Sequence, residues 1–129
     1  MLLDTSNTLA EKIPEVSVSW RSPEHSDLIH KIRAVFADVP LMMHVAKCES
    51  GLVHRENGEL IQARDGSSSR GVFQVLMRIH GPQMQKMGLN PERTDHYLTY
   101  VRYLYDKQGL KPWQGSRHCW EKGNISTLG

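Results

Sequence analysis

The 129-residue chain has only two cysteines, no long apolar run and almost no excess of one charge. Each shortage excludes something. Cys48 and Cys119 lie far apart and match no zinc-ligand spacing. A mean hydropathy of -0.49 without an extended apolar stretch excludes a transmembrane helix, so stable membrane insertion is not expected. Sixteen Lys and Arg against fourteen Asp and Glu leave a formal charge of +2. That is a mild bias towards anionic partners, such as cell-wall polymers or nucleic acid, which selects neither. The basic residues are dispersed, which argues against a nucleic-acid face. Met1 to Asn7 lacks the basic and apolar regions of a secretory signal. The expectation is synthesis in the cytoplasm, or an export segment not contained in this sequence. The seven histidines show no paired metal-ligand spacing. No phosphate loop, serine triad or Cys/His nucleophile pattern is present either, so neither a metal nor a cofactor is expected.

What remains is the composition of one globular domain large enough for a core of its own. Residues 1–24 are polar, contain Pro14 and Pro23, and read as an extended arm or linker. Residues 25–122 form the folded domain, and residues 123–129 a flexible tail. Ser26-Asp27 is expected to cap a helix carrying Leu28, Ile29, Ile32, Val35 and Phe36. Asp38 and Pro40 open a second helix that runs from Leu41 to Glu49 and stops at Gly51. Asn57-Gly58 between short flanks is a strong hairpin signal. Arg64 to Arg70 is a Ser/Gly loop, and Gly71 to Val75 a short apolar segment. Gly81-Pro82 breaks the chain before one or two helical turns over Gln83 to Met87. Asp95 to Gln108 is a clear helix ended by Gly109. The pattern predicts an α+β, mostly α-helical fold with a small β-hairpin, and a monomer.

Glu49 is the residue that does not fit a bland amphipathic helix. Leu41, Val45 and Glu49 fall at i, i+4 and i+8 on one face, so the apolar stripe ends in a carboxyl group. Desolvation and the negative end of the helix dipole both favour its protonated form, which suits a general acid. The periodicity alone equally allows a stripe that ends at Val45 with Glu49 solvated. For the cysteines, a bridge and two buried free thiols are both open.

Three segments together resemble the lysozyme-like lytic transglycosylases, the soluble-transglycosylase type and its goose-type lysozyme relatives. They are Glu49-Ser50-Gly51 at a helix end, the hairpin around Asn57-Gly58, and Gly71-Val72-Phe73-Gln74-Val75. The C-terminal run through Pro112-Trp113 to Ser116-Arg117-His118-Cys119-Trp120 is similar to small members of the group. The resemblance covers roughly residues 26 to 121 and implies a lysozyme-like fold acting on peptidoglycan glycan strands. It makes Glu49 the single acid/base for the N-acetylmuramic acid–N-acetylglucosamine β-1,4 bond. The sugar's own C6 hydroxyl then closes a 1,6-anhydro end, and the substrate's N-acetyl group replaces the usual second carboxylate.

By the same resemblance Gln74 contacts the sugars through its amide, with a loop cap as the alternative. Ser50 orients Glu49 or caps the helix end; Phe73 is core or subsite wall; Ser69 lines the cleft or belongs to a solvated loop. The family's Ala-Tyr-Asn-Ala-Gly motif is absent, so Tyr100, Tyr103 or the Trp113–Trp120 segment would substitute for its tyrosine. Asp65 is the candidate second carboxylate of a hydrolytic muramidase, or a turn former. Cys48 and Cys119 flank segments that the resemblance puts around one cleft, which favours a disulfide. Action in the periplasm, at the cell wall, or in a phage virion or lysis would follow. An inactive wall-binding or virion structural module of the same fold is the non-enzymatic alternative.

Overall fold

Ser22 and Pro23 set the first of the described helices, α1 (Pro23–Val35). The Ser22 hydroxyl accepts the His25 N–H at 3.1 Å, and Pro23 enters the first turn, where its missing N–H costs nothing. The helix thus starts ahead of the expected Ser26-Asp27 cap, and Asp27 instead pairs with Lys31 one turn on. The computed structural model describes residues 22–128, with side chains to residue 122. The expected arm over residues 1–24 therefore lies outside the described residues, except for 22–24, which begin α1.

The second helix, α2 (Leu41–Ser50), turns Met42, Val45 and Ala46 inward and ends at Gly51, whose φ of 73° completes a left-handed cap. Asp38 does not open this helix as expected. Its carboxylate grips the Arg102 guanidinium at 2.6 and 3.0 Å. The hairpin falls where Asn57-Gly58 puts it: β1 (Arg55–Glu56) pairs antiparallel with β2 (Glu59–Leu60), with both turn residues at positive φ. A second two-stranded sheet, β3 (Ser69–Arg70) with β4 (Val75–Leu76), was not expected.

Helix α3 (Met77–Lys86) runs through Gly81-Pro82, which was expected to break the chain. Ser68 clasps its start, taking the Met77 N–H on its carbonyl and the Arg78 N–H on its hydroxyl at 3.0 and 2.8 Å. Buried Met84 anchors its far half. The bond that Pro82 cannot make would go to Arg78, an exposed residue, where water can serve instead. Helix α4 (Thr94–Gln108) buries Tyr97, Leu98, Tyr100, Val101 and Leu104. A kinked 3₁₀ segment (Lys111–Ser116) leads into α5 (Arg117–Leu128). The expected frayed tail is helical backbone as far as residue 128. No proline interrupts it, and Trp120 anchors its first half.

Among the described residues the fold is thus α+β and mostly helical, with two small two-stranded sheets. Phe73 sits at the centre of the core, its ring 5.8 Å from Phe36 and 6.0 Å from Trp113. Helix α2 packs on α5, and α1 on α4. The pair Cys48–Cys119 forms a disulfide, so the bridged reading holds. No described helix is long and apolar enough to cross a membrane.

Candidate active site around Glu49

The last turn of α2 carries Cys48, Glu49 and Ser50, and each is tied to a different neighbour. Cys48 is bonded to Cys119 of α5. The Ser50 hydroxyl lies 2.8 Å from the Val72 carbonyl and 3.1 Å from that of Ala46, and accepts the Val53 N–H at 3.2 Å. Ser50 therefore clasps the helix end to the Gly71–Gln74 turn. With its proton and one lone pair engaged there, Ser50 caps the helix end, one of the two roles the sequence allowed.

Glu49 is partly buried. Burial raises its carboxyl above the usual carboxylate range, and the Ser116 hydroxyl, 2.6 Å from Oε2, pulls in the opposite direction with the smaller effect. The position at the helix C-terminus adds to the upward push. Lys47 is exposed on another face.

The Gly71–Gln74 turn behind Glu49 is held at every N–H. His54 Nδ1 accepts from Val72, the Tyr97 hydroxyl from Phe73, and the Gly71 carbonyl from Gln74, at 3.1, 3.1 and 3.0 Å. The Tyr97 hydroxyl donates onward to the Arg70 carbonyl at 2.7 Å. Trp113 Nε1 donates to the Phe73 carbonyl at 2.9 Å, joining the turn to the C-terminal segment. Burial keeps Tyr97 neutral, and the Glu49 charge pushes its titration further up, so the two side chains share one electrostatic neighbourhood. His54 stays a neutral acceptor: burial, then Arg55 and Lys31, lower it to about 4.

Gln74 has φ of 51°, an uncommon conformation for a side-chain-bearing residue and one that clusters at functional sites. Its Nε2 donates to the Gly71 carbonyl at 3.0 Å and reaches that of Ile61 at 3.4 Å. The donor end of the amide closes its own turn, which leaves the carbonyl end for any sugar contact.

No family model, no curated protein and no solved structure matches this chain.

Four other expected site residues are placed as follows. Phe73 is fully buried, so it is core and not a subsite wall. Tyr100 is 1% exposed, with its hydroxyl 2.6 Å from His80 Nδ1 and its ring 5.5 Å from Tyr103. It too is core, and its burial follows from its place on the inward face of α4 beside Tyr97 and Val101. Asp65 is exposed and accepts the Ser67 N–H at 2.9 Å. That bond holds its carboxyl below the usual range, as a turn aspartate's would. Ser69 is a partly buried residue of β3 whose carbonyl takes the Ala63 N–H and the Arg70 guanidinium.

A recess of about 850 Å³ is walled by Leu28, Gly51, Leu52, Val53, His54 and Arg55 among others. Glu49 is not part of its wall. Among the described residues no group of three His, Cys, Asp or Glu could hold a metal ion. Sequence reasoning missed Ser116 and the bridging role of Tyr97. Ser116 is 67 positions from Glu49, beyond any periodic signal.

Proposed function

We propose that the domain is a lysozyme-like lytic transglycosylase that cuts peptidoglycan glycan strands with Glu49 as its single acid/base. The observation that carries this reading is a partly buried carboxyl, shifted upward by burial, at the end of a helix fastened to a rigid turn on one side and to the C-terminal segment on the other. The order of elements also supports it: a helix ending in Glu49-Ser50-Gly51, a hairpin, then the Gly71–Gln74 turn ahead of the C-terminal helices.

Protonated Glu49 gives its proton to the glycosidic oxygen as the C1–O bond breaks, the bonding pair staying on that oxygen. The N-acetyl carbonyl oxygen of the same sugar bonds to C1 and stabilises the positive charge there. The carboxylate then takes the C6 hydroxyl proton while O6 attacks C1 and displaces the N-acetyl oxygen. Glu49 ends protonated again, ready for another cycle. A hydrolytic muramidase would need a group to hold water. Asp65, exposed and bonded to Ser67, favours the transglycosylase over that alternative.

Digestion of purified sacculi tests the proposal. Wild type is expected to release soluble muropeptides with anhydro ends, and Glu49→Gln, which cannot donate a carboxyl proton, is expected to release none. Reducing ends would convert the reading to a lysozyme. Binding without fragment release by the wild type would leave a wall-binding module.

A further inference from the structure

We propose that Ser116 is a positioning residue for Glu49: its hydroxyl holds Oε2 and so assigns the transferable proton to Oε1. The inference rests on the reading of Glu49 as the glycan-cutting acid.

A serine hydroxyl has one proton, and Ser116 has two acceptors within reach. Glu49 Oε2 lies at 2.6 Å and the Trp113 carbonyl at 3.3 Å. The Trp113 carbonyl already takes the Trp120 indole N–H at 3.0 Å. The shorter, charge-assisted bond therefore keeps the proton, and it runs to Glu49. This hydroxyl is not free to wander. Cys48 immediately precedes Glu49, and Cys119 lies one helical turn beyond Ser116, so the disulfide closes directly around the pair. Trp113 is pinned to the Phe73 carbonyl on one side and to Trp120 on the other.

The chemical consequence follows from the two oxygens of one carboxyl group. While Ser116 donates to Oε2, a proton on Oε2 would meet the proton of its own donor. It can sit there only if Ser116 turns to the longer bond with Trp113. Oε1 is thus the oxygen that carries the proton. Oε1–H protonates the glycosidic oxygen, and Oε1 later takes the proton of the C6 hydroxyl. Ser116 keeps its own proton and its bond to Oε2 throughout. Tyr97, within electrostatic reach on α4, remains neutral and does not compete.

The test compares wild type, Ser116→Ala and Ser116→Thr for the rate of fragment release from sacculi across pH, with circular dichroism and a thiol count to verify the fold. Removing the donor should slow the low-pH plateau by about ten- to a hundredfold, the worth of one hydrogen bond to a charged group. It should also move the basic limb to higher pH, because the ionised carboxylate loses its donor. Threonine, which keeps the hydroxyl, should restore the wild-type limb. A slower Ser116→Ala enzyme with an unmoved limb would reduce Ser116 to a fold residue and overturn the proposal, as would a displaced limb in Ser116→Thr. Should Ser116→Ala fail to fold, the threonine variant alone decides. A wild type that releases no fragments would refute the functional reading instead. A ¹³C carboxyl titration of Glu49, assigned against Glu49→Gln, then still tests the bond: it must titrate higher in Ser116→Ala, and identical curves would overturn it.

Discussion

Replacing Gly71 with alanine puts a methyl group where the Tyr97 ring already is. Gly71 has φ of 80°, and a Cβ there would lie 2.6 Å from both Cζ and the hydroxyl oxygen of Tyr97. Two costs follow. The left-handed conformation costs an alanine about 1–2 kcal/mol. Overpacking costs about 1–3 kcal/mol more, because the ring cannot retreat: Tyr97 is fully buried and its hydroxyl is bonded to Arg70 and Phe73. The sum is about 2–5 kcal/mol. Gly66→Ala is the matched control, since Gly66 has φ of 83° with nothing within 4 Å of the added methyl. It carries the conformational cost alone. Urea unfolding followed by the fluorescence of buried Trp113 and Trp120 measures both. Equal losses in the two variants would refute the claim that Tyr97 seals the Gly71–Gln74 turn.

Three further outcomes can be measured the same way. Reducing the disulfide, which spans 71 residues, should lower stability by about 4 kcal/mol in the loop-entropy model, read from urea curves with and without reductant; an unchanged midpoint would contradict it. His54 titrates at about 4 in the fold against an ordinary 6.5, so the unfolded chain binds its proton first. Stability should therefore fall as pH drops from 6.5 towards 4, by up to about 3 kcal/mol, and His54→Gln should flatten that slope. Glu49 has the opposite sign. Its raised carboxyl stabilises the fold below the ordinary value of 4.5 and loses that contribution as pH rises through the raised value. Glu49→Gln should thus melt higher than wild type at pH 7, with the gap closing below pH 4.5; a lower melting point at pH 7 would mean that the carboxylate stabilises the fold.

What could be read from the chain was local. The helix over Thr94–Gln108, the left-handed stop at Gly51 and the Asn57-Gly58 hairpin each follow from residues within a turn or two of one another. The partly buried place of Glu49 at the end of α2 was one of two readings those local residues allowed. Where the reading failed, a distant partner decided. Pro82 sits within a helix because Ser68 clasps its start and Met84 buries its end. The β3–β4 sheet has two residues per strand, too few to show a period, and turns through Gln74 at positive φ, which no propensity would assign to glutamine. Phe73 and Tyr100 looked usable for sugar binding because aromatic residues serve both cores and clefts, and only packing separates the two. Ser116 lies within the Trp113–Trp120 segment offered in place of the family's tyrosine, but nothing in the sequence singled it out, since its meaning depends on the disulfide and the two tryptophans that bring it to Glu49.

Cutting sacculi in heavy-oxygen water tests most directly whether Glu49 works alone with the sugar's own hydroxyl. If O6 closes the ring, the new muropeptide ends are anhydro and carry no solvent oxygen, and Glu49→Gln yields no ends. Label in the new reducing ends would mean that water attacks C1, and would contradict the single-residue transglycosylase.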